Sequence, residues 1–312
     1  MKKDSLYGAL FGVAIGDALG VPVEFTSRDT LQANPVKDFM GYKVHFQPPG
    51  TFSDDSSLTF CLAESLCRGY DLYDMAERFV QWRQAGYWGA RNEVFDIGIT
   101  TASAISRLGK DLRPDLAGDV HEQSNGNGSL MRILPLLFYV KDFDIEKRYE
   151  LVKEVSSITH GHIRSVIACF YYIEFALQIL NGNDKLKAYS VTATQVTDFL
   201  NKKEIVSKEI DLFASLLQGN ITGKKINEIR SSGYVLDCIE ASTWCFMTTE
   251  NYKDAVIKAV NLGSDTDTNG AVTGGLAGLY YGIENIPKKW RKEIARKQDI
   301  ADLCERLYNA TT

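Results

Sequence analysis

Two four-membered glycine ladders constrain the fold of this 312-residue chain more than any other feature of its sequence. Glycine recurs at every fourth position near each end of the chain, at Gly8, Gly12, Gly16 and Gly20 and again at Gly270, Gly274, Gly278 and Gly282. Residues four apart lie on one face of a helix, and each interior glycine costs about 1 kcal/mol relative to alanine. Close backbone approach is the usual reason for accepting that cost. We therefore hypothesise that the first helix and a helix over about 269–282 make close crossings, either with each other or with another element.

Helical periodicity dominates the remaining sequence, and alternating strand patterns are nearly absent. Two regions, 21–52 and 109–128, have the proline, glycine, aspartate and asparagine content that is typical of loops. The stretch 182–232 is polar and lysine-rich but has no linker composition, so we predict one all-α domain over 1–312, with 182–232 as a candidate peripheral helical insertion. The predicted helices cover about residues 5–20, 57–69, 72–85, 97–108, 129–140, 145–158, 163–181, 194–217, 234–248, 252–261, 269–282 and 298–309.

The overall charge excludes some classes of partner. A net charge of −5 and no long lysine or arginine run argue against a nucleic-acid or anionic-membrane surface. The apolar N-terminal run is interrupted by Asp4 and Asp17 and has no convincing cleavage site, and no stretch reaches the roughly 20 apolar residues of a transmembrane helix. The six cysteines form no Cys-x-x-Cys pair. We therefore expect a cytoplasmic protein with reduced thiols.

An acidic pair lies in the stretch Thr51–Phe60, where Asp54 and Asp55 follow Ser53 and precede an apolar helical run. Serine is a favourable helix N-cap, and acids in the first turn are stabilised by the positive end of the helix dipole. Ordinary capping would explain this stretch if it were taken alone.

A second acidic pair precedes the C-terminal glycine ladder, where Asp265 and Asp267 are surrounded by hydroxyl side chains. The pattern matches the first half of a calcium-binding EF-hand loop, but Leu276 stands where the bidentate glutamate is required. Carboxylate and hydroxyl oxygens without histidine or cysteine favour Mg²⁺ or Mn²⁺ over zinc. Four carboxylates converging on one site could hold two such ions about 3.5–4 Å apart.

Other enzyme classes with acidic or glycine-rich motifs match less well. A terpenoid synthase needs Asp-Asp-x-x-Asp, but Leu58 occupies the last acidic position, and an HD-type phosphohydrolase needs a His-Asp pair that the chain does not contain. The segment Gln123–Pro135 is glycine-rich and could present backbone N–H groups to a phosphate, but it has no Gly-Lys-Ser/Thr of a P-loop.

An ordered set of motifs across residues 8–282 resembles the ADP-ribosylglycohydrolase family, including the bacterial dinitrogenase-reductase-activating glycohydrolases. The motifs are Gly16-Asp-Ala-Leu-Gly-Val-Pro-Val-Glu-Phe25, Ser53-Asp-Asp-Ser56, Phe95-Asp-Ile-Gly98, Asn125-Gly-Asn-Gly-Ser-Leu-Met-Arg132, Thr159-His160, Gly233-Tyr-Val235 and Gly263-Ser-Asp-Thr-Asp-Thr268. The resemblance implies a compact, single-domain orthogonal bundle of helices with a binuclear Mg²⁺ or Mn²⁺ centre in a cleft.

The resemblance also implies roles for particular residues. The implied metal ligands are Ser53, Asp54, Asp55, Asp265, Asp267 and Thr268; the family usually has threonine at the position of Ser53, and serine keeps the hydroxyl. The implied catalytic residues are Glu24, Asp55 and Asp96, and the implied substrate-binding residues are Ser124, Asn127, Gly128, Ser129, Met131, His160 and Tyr234. Asp96 would pair with a leaving arginine, although it could equally be an N-cap for the helix that follows. We assign no role to His45 or His121.

The function implied by the resemblance is metal-dependent hydrolysis at C1″ of ADP-ribose on a modified protein, with arginine as the first choice of acceptor because of Phe95–Gly98. Serine, an O-acetyl ester and a nucleic-acid base are alternative acceptors. A non-catalytic ADP-ribose-binding protein is the alternative from another class, but all six ligand positions carry oxygen side chains, which favours an enzyme. A role in immunity against an ADP-ribosylating toxin is compatible with either function.

Overall fold

The computed structural model describes residues 2–110 and 112–312, and all regular elements in these ranges are helical. The all-α prediction is therefore confirmed, and the only strand-like pairings in the described residues are two isolated bridges, Asp119 with His160 and Gly126 with Tyr234. The α-helices are α1 (Lys3–Gly20), α2 (Arg28–Ala33), α3 (Asp54–Leu66), α4 (Leu72–Ala85), α5 (Ile99–Leu108), α6 (Leu136–Val140), α7 (Ile145–Ser157), α8 (Ile163–Leu180), α9 (Lys185–Lys202), α10 (Ser207–Asp211), α11 (Ala214–Leu217), α12 (Val235–Met247), α13 (Tyr252–Val260), α14 (Thr266–Tyr281), α15 (Lys288–Glu293) and α16 (Lys297–Thr311).

The two glycine ladders pack against each other, in α1 and α14. At three positions of each ladder, a Cβ atom added to the glycine would overlap the backbone carbonyl of its counterpart on the other helix. Since the residue numbers rise in α1 as they fall in α14, the helices run antiparallel. The contacting pairs are Gly8 with Gly278, Gly12 with Gly274 and Gly16 with Gly270.

Tyrosine hydroxyls from neighbouring helices bond to the backbone of this pair. The hydroxyl of Tyr252 donates to the carbonyl of Gly12 at 2.9 Å, and that of Tyr172 donates to Val272 at 2.9 Å. Helices α13 and α8 therefore pack around the ladder helices as the centre of the bundle.

The predicted helix over 129–140 is mostly wrong. Only Leu136–Val140 is α-helical, and the residues before it form a series of tight turns. Pro135 has no N–H to donate, and it disfavours helical backbone in the residue before it. The glycine-rich loop therefore stays outside regular helix.

The helix predicted over 194–217 is displaced in the structure. Helix α9 begins at Lys185, where the side chain of Asp184 caps it by accepting from the Lys187 amide at 2.9 Å. It ends at Lys202, shortly before Glu204 adopts a positive φ of 54°. The sequence patterns do not predict helices α2 and α15. Helix α2 is capped by the side chain of Ser27.

One continuous hydrophobic core joins helices from both ends of the chain. It includes Tyr189 and Phe199 of α9 and Phe213 beyond it, so these parts of 182–232 share the core. Domain boundaries remain a prediction. All six cysteines lie in the described residues and are free thiols.

Two segments are long and apolar enough to cross a membrane by length and composition, contrary to the expectation from sequence. They are Lys3–Val23 and Ile163–Leu180, and they are 94% and 89% buried inside the protein. Both are core helices, since α1 and α8 pack on other helices over nearly their whole length.

Candidate metal centre and active-site cleft

The antiparallel pairing of α1 and α14 brings the residues after α1 next to the start of α14. The amide of Phe25 donates to the carbonyl of Ser264 at 2.7 Å, and the amide of Ser264 donates back to Thr26 at 2.9 Å. These two bonds tie the acidic residue Glu24 to the second acidic cluster. Carboxylate oxygens of Glu24, Asp265 and Asp267 lie within 4.8 Å of one another.

The first acidic cluster is held at the same place by Asp17, a residue of α1. The fully buried Asp17 carboxylate accepts from the amides of Ser53 at 2.9 and 3.0 Å and of Ser56 at 3.0 Å. It also accepts from the Ser56 hydroxyl at 2.5 Å. The start of α3, with its two acids, is thereby fastened to α1.

Ser53 is the N-cap of α3, as the sequence predicts, because its hydroxyl accepts from the Asp55 amide at 3.2 Å. The capping interpretation and the metal interpretation of this stretch are compatible. Capping uses the amides of the first turn and leaves the carboxylates of Asp54 and Asp55 without any bond to these amides.

The two acidic clusters meet directly. The Thr268 hydroxyl donates to Asp55 Oδ1 at 3.3 Å, and oxygens of Asp17, Asp55 and Asp267 lie within 4.8 Å of one another. Asp265 makes no side-chain cap bond, and its Oδ2 accepts from the side chain of Asn127 at 2.7 Å. Residues more than 200 positions apart thus form one acidic site.

The electrostatics of this site are unfavourable without a cation. Burial, and then repulsion from neighbouring carboxylates, raises the pKa of Asp54, Asp55 and Asp267 well above the usual range. Burial also raises the pKa of Asp17 to about 7, against the hydrogen bonds it accepts. Asp55 Oδ2 is buried and has no hydrogen-bond partner. A bound cation would neutralise the charges and supply that missing partner, and the all-oxygen donor set fits a hard divalent ion.

Asp96 lies above the acidic site and is not a helix cap. Helix α5 begins at Ile99 with Gly98 as its N-cap residue, and Asp96 itself has a positive φ of 51°. Atoms of Asp96, Glu24 and His45 lie within 4.8 Å of one another. The capping alternative for Asp96 is therefore wrong, and its carboxyl group faces the cleft.

Glu24 is bonded to His45, a residue to which the sequence assigned no role. The Glu24 Oε2 and His45 Nε2 atoms are in hydrogen-bond contact, and both side chains are largely buried. Burial raises the pKa of Glu24 to about 7, against the effect of this bond. The hydrogen bond in turn raises the pKa of His45. An acid with a pKa near neutrality suits a general base.

A cleft of about 360 Å³ opens above these acids and has the glycine-rich loop as one wall. The loop is held to the start of α12 by two backbone bonds, from Asn127 to Gly233 and from Val235 to Asn125, both 3.0 Å. A Cβ atom on Gly128 would lie 2.8 Å from side-chain atoms of both His160 and Thr101, so any other residue there would displace them. The predicted site residues that line the cleft are Glu24, Asp54, Asp55, Asp96, Asn127, Gly128, Met131, His160, Asp265 and Thr268.

His160 is neutral in this wall. Its imidazole is buried, which lowers its pKa to about 3, and its Nδ1 is 2.8 Å from the Thr159 hydroxyl. A neutral imidazole can contact an uncharged part of a ligand without placing a positive charge in the cleft.

The other predicted site residues lie outside the cleft lining. Ser53 and Asp267 lie buried beneath its floor. The hydroxyl of Ser129 points into the core, where Ser156 donates to it at 3.0 Å. Ser124 lies on the neighbouring turn, and the half-buried Tyr234 precedes α12, with its hydroxyl 3.4 Å from Arg164 Nη1.

Asp17, His45 and Thr101 are the residues that sequence reasoning missed. Asp17 has a recognisable signal, because beyond Lys3 and Asp4 in the first turn it is the one charged residue of the apolar, ladder-bearing helix α1. His45 and Thr101 have none, since their position depends on contacts with distant parts of the chain.

A larger cavity, of about 420 Å³, lies between α7 and α9, but its lining does not indicate a catalytic or metal site. Its acids Asp144, Glu146 and Asp198 are exposed to solvent and form no buried cluster. The acidic cleft is therefore the candidate active site.

Comparison with known proteins agrees with this geometry. The chain is 32% identical over 308 residues to the ADP-ribosylarginine hydrolase Tri1 of Serratia proteamaculans, covering 98% of this chain and 79% of that protein. It is 27% identical over 308 residues to the ADP-ribosyl-[dinitrogen reductase] glycohydrolase of Rhodospirillum rubrum, covering 94% and 91%. A solved structure described as an ADP-ribosylglycohydrolase-related protein complex superimposes with a TM-score of 0.83 and 29% identity over 99% of both chains.

The sequence profile of the ADP-ribosylglycohydrolase family matches residues 1–312. The predicted fold and the resemblance are thus confirmed, and the chain belongs to the ADP-ribosylglycohydrolase family.

Proposed function

We propose that this protein is a metal-dependent hydrolase that removes ADP-ribose from arginine side chains of modified proteins. The observation that carries the proposal is the convergence of buried acids from α1, α3 and α14 beneath one cleft, with Asp55 Oδ2 left unpartnered. The choice of arginine is supported by two relatives named ADP-ribosylarginine hydrolase, 32% and 31% identical over 98% of this chain.

The proposed metal site comprises two divalent cations, Mg²⁺ or Mn²⁺. The side chains that would hold them are Ser53, Asp54, Asp55, Asp265, Asp267 and Thr268, all of which offer hard oxygen ligands. When bound, such ions supply Lewis-acid chemistry, lowering the pKa of water and orienting hydroxyl groups of the ribose.

The proposed substrate pocket is the part of the cleft next to these acids that the glycine-rich loop lines. Asn127, Gly128 and Met131 would contact the ribose and diphosphate, and the neutral His160 would face the distal ribose. Ser124, Ser129 and Tyr234 are proposed to complete this pocket from the neighbouring turns and the start of α12. Since the side chain of Ser129 is bonded in the core, its contribution would come from its backbone.

The proposed reaction breaks the bond between C1″ and the arginine nitrogen. Its transition state resembles an oxocarbenium ion, so the need is for a positioned water rather than a strong covalent nucleophile. The water oxygen forms the new bond to C1″, and a proton from this water passes to Glu24, with Asp55 as the alternative base. The electron pair of the broken bond stays on the guanidine nitrogen, and the leaving guanidine takes up one proton, which balances the proton that the base received from the water. Asp96 would hold the cationic guanidinium at the mouth of the cleft by a charge-assisted contact.

The proposed substrate is thus an ADP-ribosylated protein, and the six free cysteines, five of them buried, support a cytoplasmic location. The net charge of −5 makes nucleic acid an unfavourable partner.

The test is release of free ADP-ribose from an ADP-ribosylarginine protein, measured with Mg²⁺, with Mn²⁺ and with a chelator. We expect release only with a divalent ion, and its loss in the variant Asp54→Ala/Asp55→Ala. Asp198→Asn, which changes an exposed acid at the other cavity, is the matched control. Binding of ADP-ribose without release from arginine, serine or ester substrates under any condition would contradict the proposal and favour a binding protein.

A further inference from the structure

The side chain of His45 reaches the acidic site from outside the helical bundle. It belongs to the segment between α2 and α3, and its ring is 16% exposed while the Glu24 side chain that it contacts is 6% exposed. No other hydrogen-bond donor reaches the Glu24 carboxylate in residues 2–110 and 112–312.

The position of the His45 ring is determined by its surroundings. The ring centroids of Phe25 and Phe95 lie 6.4 and 5.4 Å from it. The backbone on either side is also bonded, since the Val44 amide donates to Pro22 at 3.3 Å and the Tyr42 amide donates to Gln47 at 2.8 Å. The imidazole is therefore held before any ligand enters.

Glu24 needs such a partner because its other neighbours repel it. Asp96, Asp265 and Asp267 each have a carboxylate oxygen within 4.8 Å of a Glu24 carboxylate oxygen. Like charges would turn a free carboxylate out toward solvent. A hydrogen bond from His45 to Oε2 opposes that movement and leaves the other oxygen, Oε1, free to accept a proton.

We propose that His45 is a positioning residue: it donates from Nε2–H to Glu24 Oε2 and so holds Oε1 of Glu24 ready to accept a proton from the attacking water. This inference rests on the function proposed above. His45 acts through Glu24 and itself touches neither the substrate nor the reacting atoms.

Two substitutions separate the hydrogen bond from the packing of the ring. His45→Phe keeps an aromatic ring between Phe25 and Phe95 but has no donor, whereas His45→Gln keeps a donor nitrogen at a similar reach. In His45→Phe we expect kcat to fall about 10- to 100-fold, as is typical when the partner of a functional group is removed, with KM unchanged. His45→Gln should recover kcat to within a few fold of the wild type.

A double variant tests whether His45 acts through Glu24. If it does, His45→Phe should cause no further loss of kcat in a Glu24→Gln background. Additive losses, equal kcat in His45→Phe and the wild type, or equal loss in His45→Phe and His45→Gln would each overturn the inference. Thermal melting of every variant shows whether it is folded.

The nitrogen chemical shifts of His45 give a readout that does not depend on activity. In the full-length protein with a chelator, a hydrogen-bonded Nε2–H should be present in the wild type and absent in Glu24→Ala. If that signal is present but ADP-ribose is not released by the wild type, the proposed function fails while the contact stands. If ADP-ribose is released and the signal is absent, the His45 inference alone fails.

Discussion

Asp55 takes part both in the capping of its own helix, α3, and in a contact with the second acidic cluster. Its amide is used to cap α3, its Oδ1 accepts from Thr268, and its Oδ2 is buried without a partner. The raised pKa means that the fold disfavours the ionised form of this carboxylate unless a cation is present. Without a cation, ionising this carboxylate in the folded protein therefore costs free energy that a bound cation would offset.

Replacing Asp55 by asparagine should stabilise the metal-free protein and abolish its response to metal. Because the folded-state pKa is raised, the favourable contribution of this acid is present at low pH and is lost as the pH rises past the folded pKa. In a chelator at pH 7.5, Asp55→Asn should thus melt a few degrees above the wild type. Mn²⁺ at 100 times Kd should raise the wild-type Tm by about 5 °C and leave the variant unchanged. Asp198→Asn should melt and respond as the wild type does in this scanning fluorimetry experiment.

The stabilisation by metal should itself depend on pH. Ligand carboxylates bind a cation when they are deprotonated, and the raised pKa values of Asp54 and Asp267 make protons strong competitors. The gain in Tm on adding Mn²⁺ should therefore shrink as the pH falls from 7.5 to 5.5. A gain that stays constant over this range would contradict the raised pKa values.

At the scale of elements, the antiparallel contact between α1 and α14 determines where the acids meet. The ladder allows the two backbones to touch, so the end of α1 lies against the start of α14. Helix α3 is attached to the same end by the buried carboxylate of Asp17. The site is thus assembled from three helix ends, and its geometry depends on the α1–α14 contact and on the bonds that Asp17 makes to the start of α3.

A methyl group in the ladder should damage the whole fold. In Gly12→Ala the new Cβ would overlap the carbonyl of Gly274, and neither backbone can move without separating the helices. We expect a loss of about 3 kcal/mol in the free energy of unfolding, at the upper end for overpacked cores, measured by urea denaturation in a chelator. Gly109→Ala is the control, since an added Cβ there has no neighbour closer than 3.6 Å. An unchanged urea midpoint in Gly12→Ala would refute the close packing.

At the scale of the whole molecule, the cleft has the buried acids in its lining, together with the partly exposed Asp96. The volume of about 360 Å³ suits a small-molecule ligand, so the polypeptide of an acceptor protein would stay outside. Residues near the opening of the cleft would therefore determine which acceptor linkage the enzyme cleaves.

The variant Asp96→Asn tests whether Asp96 contacts the acceptor arginine or the ADP-ribose part of the substrate. Losing one charge-assisted contact of about 1.5–3 kcal/mol should lower kcat/KM for an ADP-ribosylarginine substrate about 10- to 100-fold. The affinity for free ADP-ribose, measured by calorimetry, should change less than about 3-fold, because no guanidinium is present. Glu93→Gln, an exposed acid of the same loop, should change neither quantity. Equal losses in both measurements would show that Asp96 holds the ADP-ribose and not the arginine.

Much of the fold and part of the site could be predicted from local sequence. Helical periodicity, the Ser53 cap and the close packing of the ladder helices depend on residues a few positions apart. The limits of α6 and α9 differ from those that periodicity predicts, because Pro135 and the Asp184 cap outweigh the apolar pattern around them.

Local sequence patterns establish that this chain is helical, that two of its helices expose bare backbone to a neighbour, and that two acidic clusters rich in hydroxyls start helices. Three further features are visible only in the folded molecule: the ladder helices pair with each other, Asp17 holds the start of α3, and His45 contacts Glu24. The physical reason is that periodicity reports which face of an element is buried, whereas the partner of a buried carboxylate is set by where distant segments pack.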